Sequence, residues 1–264
     1  MRRNGPLALV FHAAFVMFIA APLVAVGLVS FTDKAYLSMP FDGVSLRWYA
    51  ALLDAPAFLQ AFQISLVLGA ASATIATILA VPAALALARL DFRGREAINA
   101  LLLSPLLIPH VVLGVAFLRF FAGIGLYGTL AGLIMAHVVI ILPYALRLTI
   151  ATASAMDPRL EQAAASLGAG PFPVFRRVTL PIILPGVASG WILAFLTSFD
   201  ELTMTAFLAS PSTVTLPVRL YLHIEETIDP MVASVSTLLI VGALALMMVL
   251  DRVYGLDRVF IGKA

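Results

Sequence analysis

Six stretches of this chain carry no charged residue and are each long enough to cross a bilayer as a helix: Leu7–Phe31, Ala61–Ala88, Ala97–Leu118, Leu126–Leu146, Ile182–Phe199 and Val232–Leu250. A hydrocarbon core about 30 Å thick takes roughly 20 helical residues per crossing. The pattern predicts an all-α integral membrane protein with six transmembrane helices, a single transmembrane domain over residues 1–264. Its spans fall at about 7–31, 61–88, 97–118, 126–146, 182–207 and 232–250. Pro22, Pro82, Pro105, Pro109 and Pro143 lie inside these stretches and predict kinks, since neighbouring helices can satisfy the carbonyls that proline leaves free. The first stretch follows Arg2 and Arg3, but it is longer than a signal-peptide core and lacks a clear small-residue cleavage pattern, so it reads as a retained span.

Composition agrees with lipid as the main solvent: 62% of residues are hydrophobic and 11% charged, far from a water-soluble domain. With no cysteine there is neither a disulfide framework nor a thiolate metal site. The basic residues are unevenly placed. Arg2, Arg3, Arg89, Arg93, Arg95, Arg147, Arg159, Arg176, Arg177, Arg252, Arg258 and Lys263 fall on one side, and Lys34, Arg47 and Arg219 on the other, twelve against three. Because loops rich in lysine and arginine stay cytoplasmic, both termini are expected inside.

The inner loop between the fourth and fifth stretches, about 154–181, is unusually long. Asp157-Pro158 is a good helix start, because aspartate can accept from free backbone amides and proline suits the first helical position. Leu160, Ala163, Ala164 and Leu167 follow at helical spacing, and Gly168 supplies a left-handed stop. A second segment carries Phe172, Phe175, Arg176 and Arg177 into Leu180-Pro181. By its residues alone this loop is either a helix lying on anionic headgroups or a docking element whose small alanines admit another protein closely.

The string Glu161-Gln162-Ala163-Ala164-Ala165-Ser166-Leu167-Gly168, followed by Phe175-Arg176-Arg177-Val178-Thr179-Leu180-Pro181, resembles the EAA loop of membrane subunits of binding-protein-dependent type I ABC importers. The resemblance implies a six-span permease fold with a cytoplasmic coupling helix that fits a cleft on a separate ATPase dimer. It also implies a second homologous permease subunit, an extracytoplasmic substrate-binding protein, and a multi-pass place in the bacterial inner membrane. Coupling would then fall to Glu161, Gln162, Ala163, Ala164, Leu167, Gly168 and Arg176. ATP and magnesium would be held by the ATPase and no cofactor by this chain. Gln162 stands where the family usually has glutamate, with Glu161 just before it. Ser45-Leu46-Arg47-Trp48-Tyr49-Ala50-Ala51-Leu52-Leu53, His137 to Pro143, Ser198-Phe199-Asp200-Glu201 and Thr215-Leu216-Pro217-Val218 look like the polyamine branch, which moves spermidine or putrescine. Related permeases move organophosphonates or ferric iron.

Asp200 and Glu201 are the clearest polar anomaly. If the fifth helix continues to residue 207, Thr197, Asp200, Glu201, Met204 and Thr205 share one face and could line a path for a cation, helped by the rings of Trp191, Phe195 or Phe199. Alternatively it ends at Phe199 and the acids lie in the wet interface, or they pair with an arginine of a neighbouring subunit. No phosphate-binding G-x-x-x-x-G-K-[ST] occurs, and the match Gly123-Ile124-Gly125-Leu126-Tyr127-Gly128 sits in a short turn without a preceding strand. His12, His110, His137 and His223 are too scattered for a metal site, and no catalytic constellation or nucleic-acid-binding pattern is present. An ion-driven secondary transporter, with Asp200 or Glu201 as its coupling carboxylate, and a non-transporting scaffold are the competing readings.

Overall fold

The computed structural model describes residues 5–41 and 43–254. Arg2, Arg3, Arg258, Lys263 and the terminal Gly262-Lys263-Ala264 lie outside the described residues. The architecture is all-helical, with one isolated bridge between Thr32 and Val44 among the described residues. The α-helices among the described residues are α1 (Pro6–Val29), α2 (Arg47–Leu53), α3 (Pro56–Arg89), α4 (Arg95–Leu103), α5 (His110–Ile124), α6 (Leu130–Ala155), α7 (Arg159–Ser166), α8 (Pro171–Val174), α9 (Leu180–Phe199), α10 (Thr205–Leu208), α11 (Leu216–Glu226) and α12 (Met231–Tyr254). By length and apolarity, Leu7–Val29, Pro56–Arg89, Leu130–Ala155 and Pro171–Phe199 are each candidates to cross a membrane, and the bent pair α4 and α5 is a fifth candidate when counted as one span.

Residues 5–60 and 219–253 form one compact unit and 61–218 another. In the first, Trp48 of α2 is buried and donates its Nε1–H to the Lys34 carbonyl at 3.1 Å, while the Tyr49 hydroxyl meets Ser30 Oγ at 2.7 Å. Trp48 is thus a packed and satisfied side chain. The second unit is built around α6 and α9. A Cβ on Gly190 would lie 3.1 Å from the Ala145 backbone, and one on Gly186 would collide with Thr152, so glycine is what lets the two backbones approach. Ile140, Ile141, Ala145, Leu146 and Ala194 are buried between them. On α3, Ala73, Ala76, Ala80 and Ala84 present a fully buried small-residue stripe, and Gly69 leaves room for the Phe195 ring.

The structure corrects three boundaries. The span at 97–118 is not one kinked helix: α4 passes through a 3₁₀ turn, Ser104–Leu107, and the chain then bends by 102° into α5. Two prolines four residues apart cause the break, because Pro105 lacks an amide hydrogen and Pro109 forces Ile108 into extended backbone at φ −96°, ψ 127°. Pro22, Pro82 and Pro143 stand alone, and their helices run on. The helix expected at 126–146 begins instead at Leu130, where Thr129 Oγ1 accepts the Gly132 amide at 3.1 Å, and continues past Arg147 to Ala155. A charge ends an apolar run without ending a helix. The helix assigned to 182–207 starts upstream, through α8 and a π turn at Phe175–Thr179, and stops at Phe199.

Gly190→Leu is expected to lower the thermal midpoint of the purified, detergent-solubilised protein, an overpacking cost of about 1–3 kcal/mol. Gly242→Leu, whose Cβ meets nothing within 4 Å, is the control that should leave the midpoint unchanged.

Candidate functional site

The loop between α6 and α9 is held by its own polar groups. Asp157 Oδ1 accepts the Arg159 amide at 2.9 Å and fixes the start of α7. At the other end Gly168, at φ +87°, allows its amide to reach the Ala165 carbonyl at 2.9 Å and the Ala169 amide to reach Ala164 at 3.1 Å, so both ends of this two-turn helix are closed. Glu161 turns inward. Its Oε1 accepts from the Thr179 hydroxyl at 2.7 Å, and its Oε2 lies 3.6 Å from Arg89 Nε at the end of α3. Gln162 and Ala163 point to the exterior and Ala164 is half-buried. Leu160, Leu167 and Phe172 are 48%, 90% and 68% exposed, an apolar set left uncovered by this chain. Arg176 is exposed on the π turn. Arg89, which sequence reasoning used only to count charge, is the partner of Glu161; its one visible signal was that it ends the uncharged run of the second span.

The second cluster forms where α9 ends. Because the helix stops at Phe199, with Asp200 at its C-cap, the expected common face of Thr197, Asp200, Glu201, Met204 and Thr205 does not exist. Asp200 is exposed, Thr197 donates to the Leu193 carbonyl of its own helix at 2.8 Å, and Met204 and Thr205 are fully buried. Glu201 is buried and already engaged: Oε1 accepts the Met204 amide, and Oε2 meets His110 Nδ1 at 3.0 Å. The bend after α4 and the turn after α9 are therefore joined by one carboxylate. Beside it His137, fully buried on α6, bonds Ser198 Oγ through Nδ1 at 2.7 Å and Thr205 Oγ1 through Nε2 at 3.0 Å. The partners of His137, Ser198 and Thr205, and the partner of Glu201, His110, were not legible in the sequence, because they are distant in the chain. No group of three or more metal-binding side chains occurs among the described residues.

Three rings climb α9 toward Asp200. Trp191 and Phe195 stack at 5.5 Å and 4°, and Phe195 meets Phe199 at 5.9 Å. From α3, Phe62 packs edge-on against Phe199 at 6.2 Å and Thr74 accepts the Trp191 Nε1–H at 3.0 Å. Thr215-Leu216-Pro217-Val218 docks on α3 by a bond from the Leu216 amide to Ser65 Oγ at 2.8 Å.

Glu201→Ala removes the acceptor from a buried amide and is expected to destabilise the purified protein by about 1–3 kcal/mol in a thermal scan, whereas Asp200→Asn, at an exposed position, should leave the midpoint within error.

These two clusters sit in a chain whose relatives are informative. The family model described as "Binding-protein-dependent transport system inner membrane component" matches residues 76–256. The spermidine/putrescine transport system permease protein PotC of Escherichia coli (strain K12) is 30% identical over 236 residues, covering 89% of each chain. The molybdenum transport system permease protein ModB of Mycobacterium bovis is 35% identical over 228 residues, 80% of this chain and 86% of that one. The fold is similar to that in the crystal structure of a bacterial ABC transporter involved in the import of the acidic polysaccharide alginate, with a TM-score of 0.79 and 15% identity over 95% of this chain and 96% of that chain. The family is one of multi-pass permease subunits whose ATPase is a separate chain, which removes the ion-driven and scaffold readings. With a matching family model over more than half its length and relatives of this closeness, the chain belongs to the inner-membrane permease subunits of binding-protein-dependent ABC importers.

Proposed function

We propose that this permease forms, with a second homologous permease, the translocation path for a polyamine, and that α7 is the helix through which a cytoplasmic ATPase dimer drives it. The observation that carries the reading is the two-sided character of α7: Glu161 ties it inward while Leu160, Ala163 and Leu167 stay uncovered. A rigid helix, capped at both ends, with an apolar outer face suits a cleft on a partner that moves during each turnover. Six crossings follow if the bent pair α4 and α5 counts as one span and α12, whose apolar part is Met231–Ala245, as another. The charge asymmetry then puts both termini and the α7 loop in the cytoplasm, and a binding protein delivers substrate on the opposite side.

ATP binding draws the ATPase subunits together, and α7, gripped by its outer face, carries the displacement into α6 and α9. The close glycine-mediated packing of those two helices makes them move as a pair rather than slide. Inward and outward openings are two discrete packings, and the nucleotide biases them by binding one better than the other. No chemistry falls to this chain.

A polyamine is favoured by the named transport function of PotC and by Asp200, an exposed carboxylate at the head of the Trp191, Phe195 and Phe199 rings, which attract an ammonium group through their faces. Thr197 and Asp200 would line this path, while Glu201, Met204 and Thr205 shape the wall behind them. The relative ModB favours a second reading, an oxyanion, for which Asp200 would be a repulsive neighbour.

Since the chain has no native cysteine, Ala163→Cys gives a clean crosslinking site. It is expected to capture the ATPase in inner-membrane vesicles, and no capture at any nucleotide state refutes the coupling role. Spermidine uptake by the assembled importer should fall roughly three- to fivefold in Asp200→Asn. Transport of molybdate in place of spermidine, undiminished by that change, decides for the oxyanion.

A further inference from the structure

Among the described residues, the inner end of α3 is tied to the α7 loop by one side chain. Arg89 donates from Nη1 to the Met156 carbonyl at 3.1 Å, just before α7, and faces Glu161 within α7 at 3.6 Å. Glu161 in turn accepts from Thr179, at the end of the π turn that leads into α9. The side chains of Arg89 and Glu161 are only 16% and 26% exposed, so solvent screens them weakly. Beneath them Ala153, Met156 and Ile183 form a buried cluster against Val81, Leu85 and Ala88 of α3 and Val178, Leu180 and Val187, so α3, α6 and α9 meet at one apolar floor under one charged pair. Two further features point to a working contact rather than a finished one. The pair is longer than a hydrogen bond, and Arg89 Nη2 is buried without a hydrogen-bond partner, leaving donors to be engaged when α7 shifts.

We propose that Arg89 is a positioning residue that carries the displacement of α7 into α3, by way of Glu161, so that a third helix moves with α6 and α9. This rests on α7 being the ATPase contact. The placement explains why the acid stands at 161: on a helix, adjacent residues lie about 100° apart, so Glu161 can face Arg89 only if Gln162 faces outward. An uncharged outer residue and a charged inner one divide the two tasks. Because α3 is one continuous helix of 34 residues that runs on through Pro82, a displacement at Arg89 can be carried along it toward the opposite membrane surface.

The test uses the assembled importer in proteoliposomes, this chain with its permease partner, ATPase and binding protein, and spermidine as the probe. Gln63→Cys on the outward part of α3 reports the movement through its rate of maleimide labelling with and without ATP, a readout that needs no transported substrate. In the otherwise wild-type chain that rate is expected to change with ATP. In Arg89→Gln and Glu161→Gln the change should be lost and spermidine moved per ATP hydrolysed should drop about tenfold, while capture of the ATPase by Ala163→Cys persists. The exchange Arg89→Glu with Glu161→Arg should restore most of both signals. Failure of Ala163→Cys to capture the ATPase in the parent chain overturns the reading beneath the proposal. Capture with an unaltered labelling response and unaltered transport ratio in the single variants, or a parent whose α3 labelling ignores ATP, overturns the proposal itself. If the charge variants do not assemble, Thr179→Val decides: it removes only the hydroxyl contact to Glu161, and a transport ratio equal to wild type counts against the proposal, a roughly twofold fall for it.

Discussion

In the hydrocarbon core no water is available to an unpaired amide or carbonyl, so every departure from helix must be satisfied by the protein itself. That constraint organises this permease. Its helices are long where the backbone satisfies itself. Where the chain turns inside the second unit, side chains take over: Glu201 accepts the Met204 amide after α9, Thr129 accepts the Gly132 amide before α6, and the break after α4 occurs at prolines, which have no amide hydrogen to satisfy. Close approach of α6 and α9 through Gly186 and Gly190 then supplies contact that the hydrophobic effect cannot, because lipid is as apolar as the side chains.

Two carboxylates do comparable work at two different turns. Glu201 joins the bend at His110 to the turn after Phe199, and Glu161 joins α7 to Arg89 and Thr179. Both are turned inward beside a residue that is turned out, Asp200 in one case and Gln162 in the other. Each turn thus has an inner residue that fixes its shape and an outer one free to meet something else. That division suits a machine in which a partner pushes on one loop and a solute passes another, since neither contact has to hold the fold together as well.

The inner loop was readable because its signals are local. Asp157, the alanines and Gly168 act within two helical turns, where spacing alone sets geometry. The resemblance carried by residues 161–181 pointed to the right family for the same reason. A common face for Thr197, Asp200, Glu201, Met204 and Thr205 needs a helix that runs to residue 207, and periodicity does not see a stop at Phe199 that is stabilised from a distance. His110 lies 91 residues from Glu201 and Arg89 lies 72 from Glu161. Nothing in either neighbourhood announces the other.

By itself the sequence determined the solvent, the number of long apolar stretches, the short capped helix and the absence of a phosphate loop, because each depends on residues within a few turns of one another. Only tertiary structure decided that the third stretch breaks and that the fifth helix stops at Phe199, which of two adjacent acids is buried, and that Arg89 belongs to the α7 loop. These depend on which distant groups can satisfy a buried charge or amide, and that pairing exists only after the helices have packed.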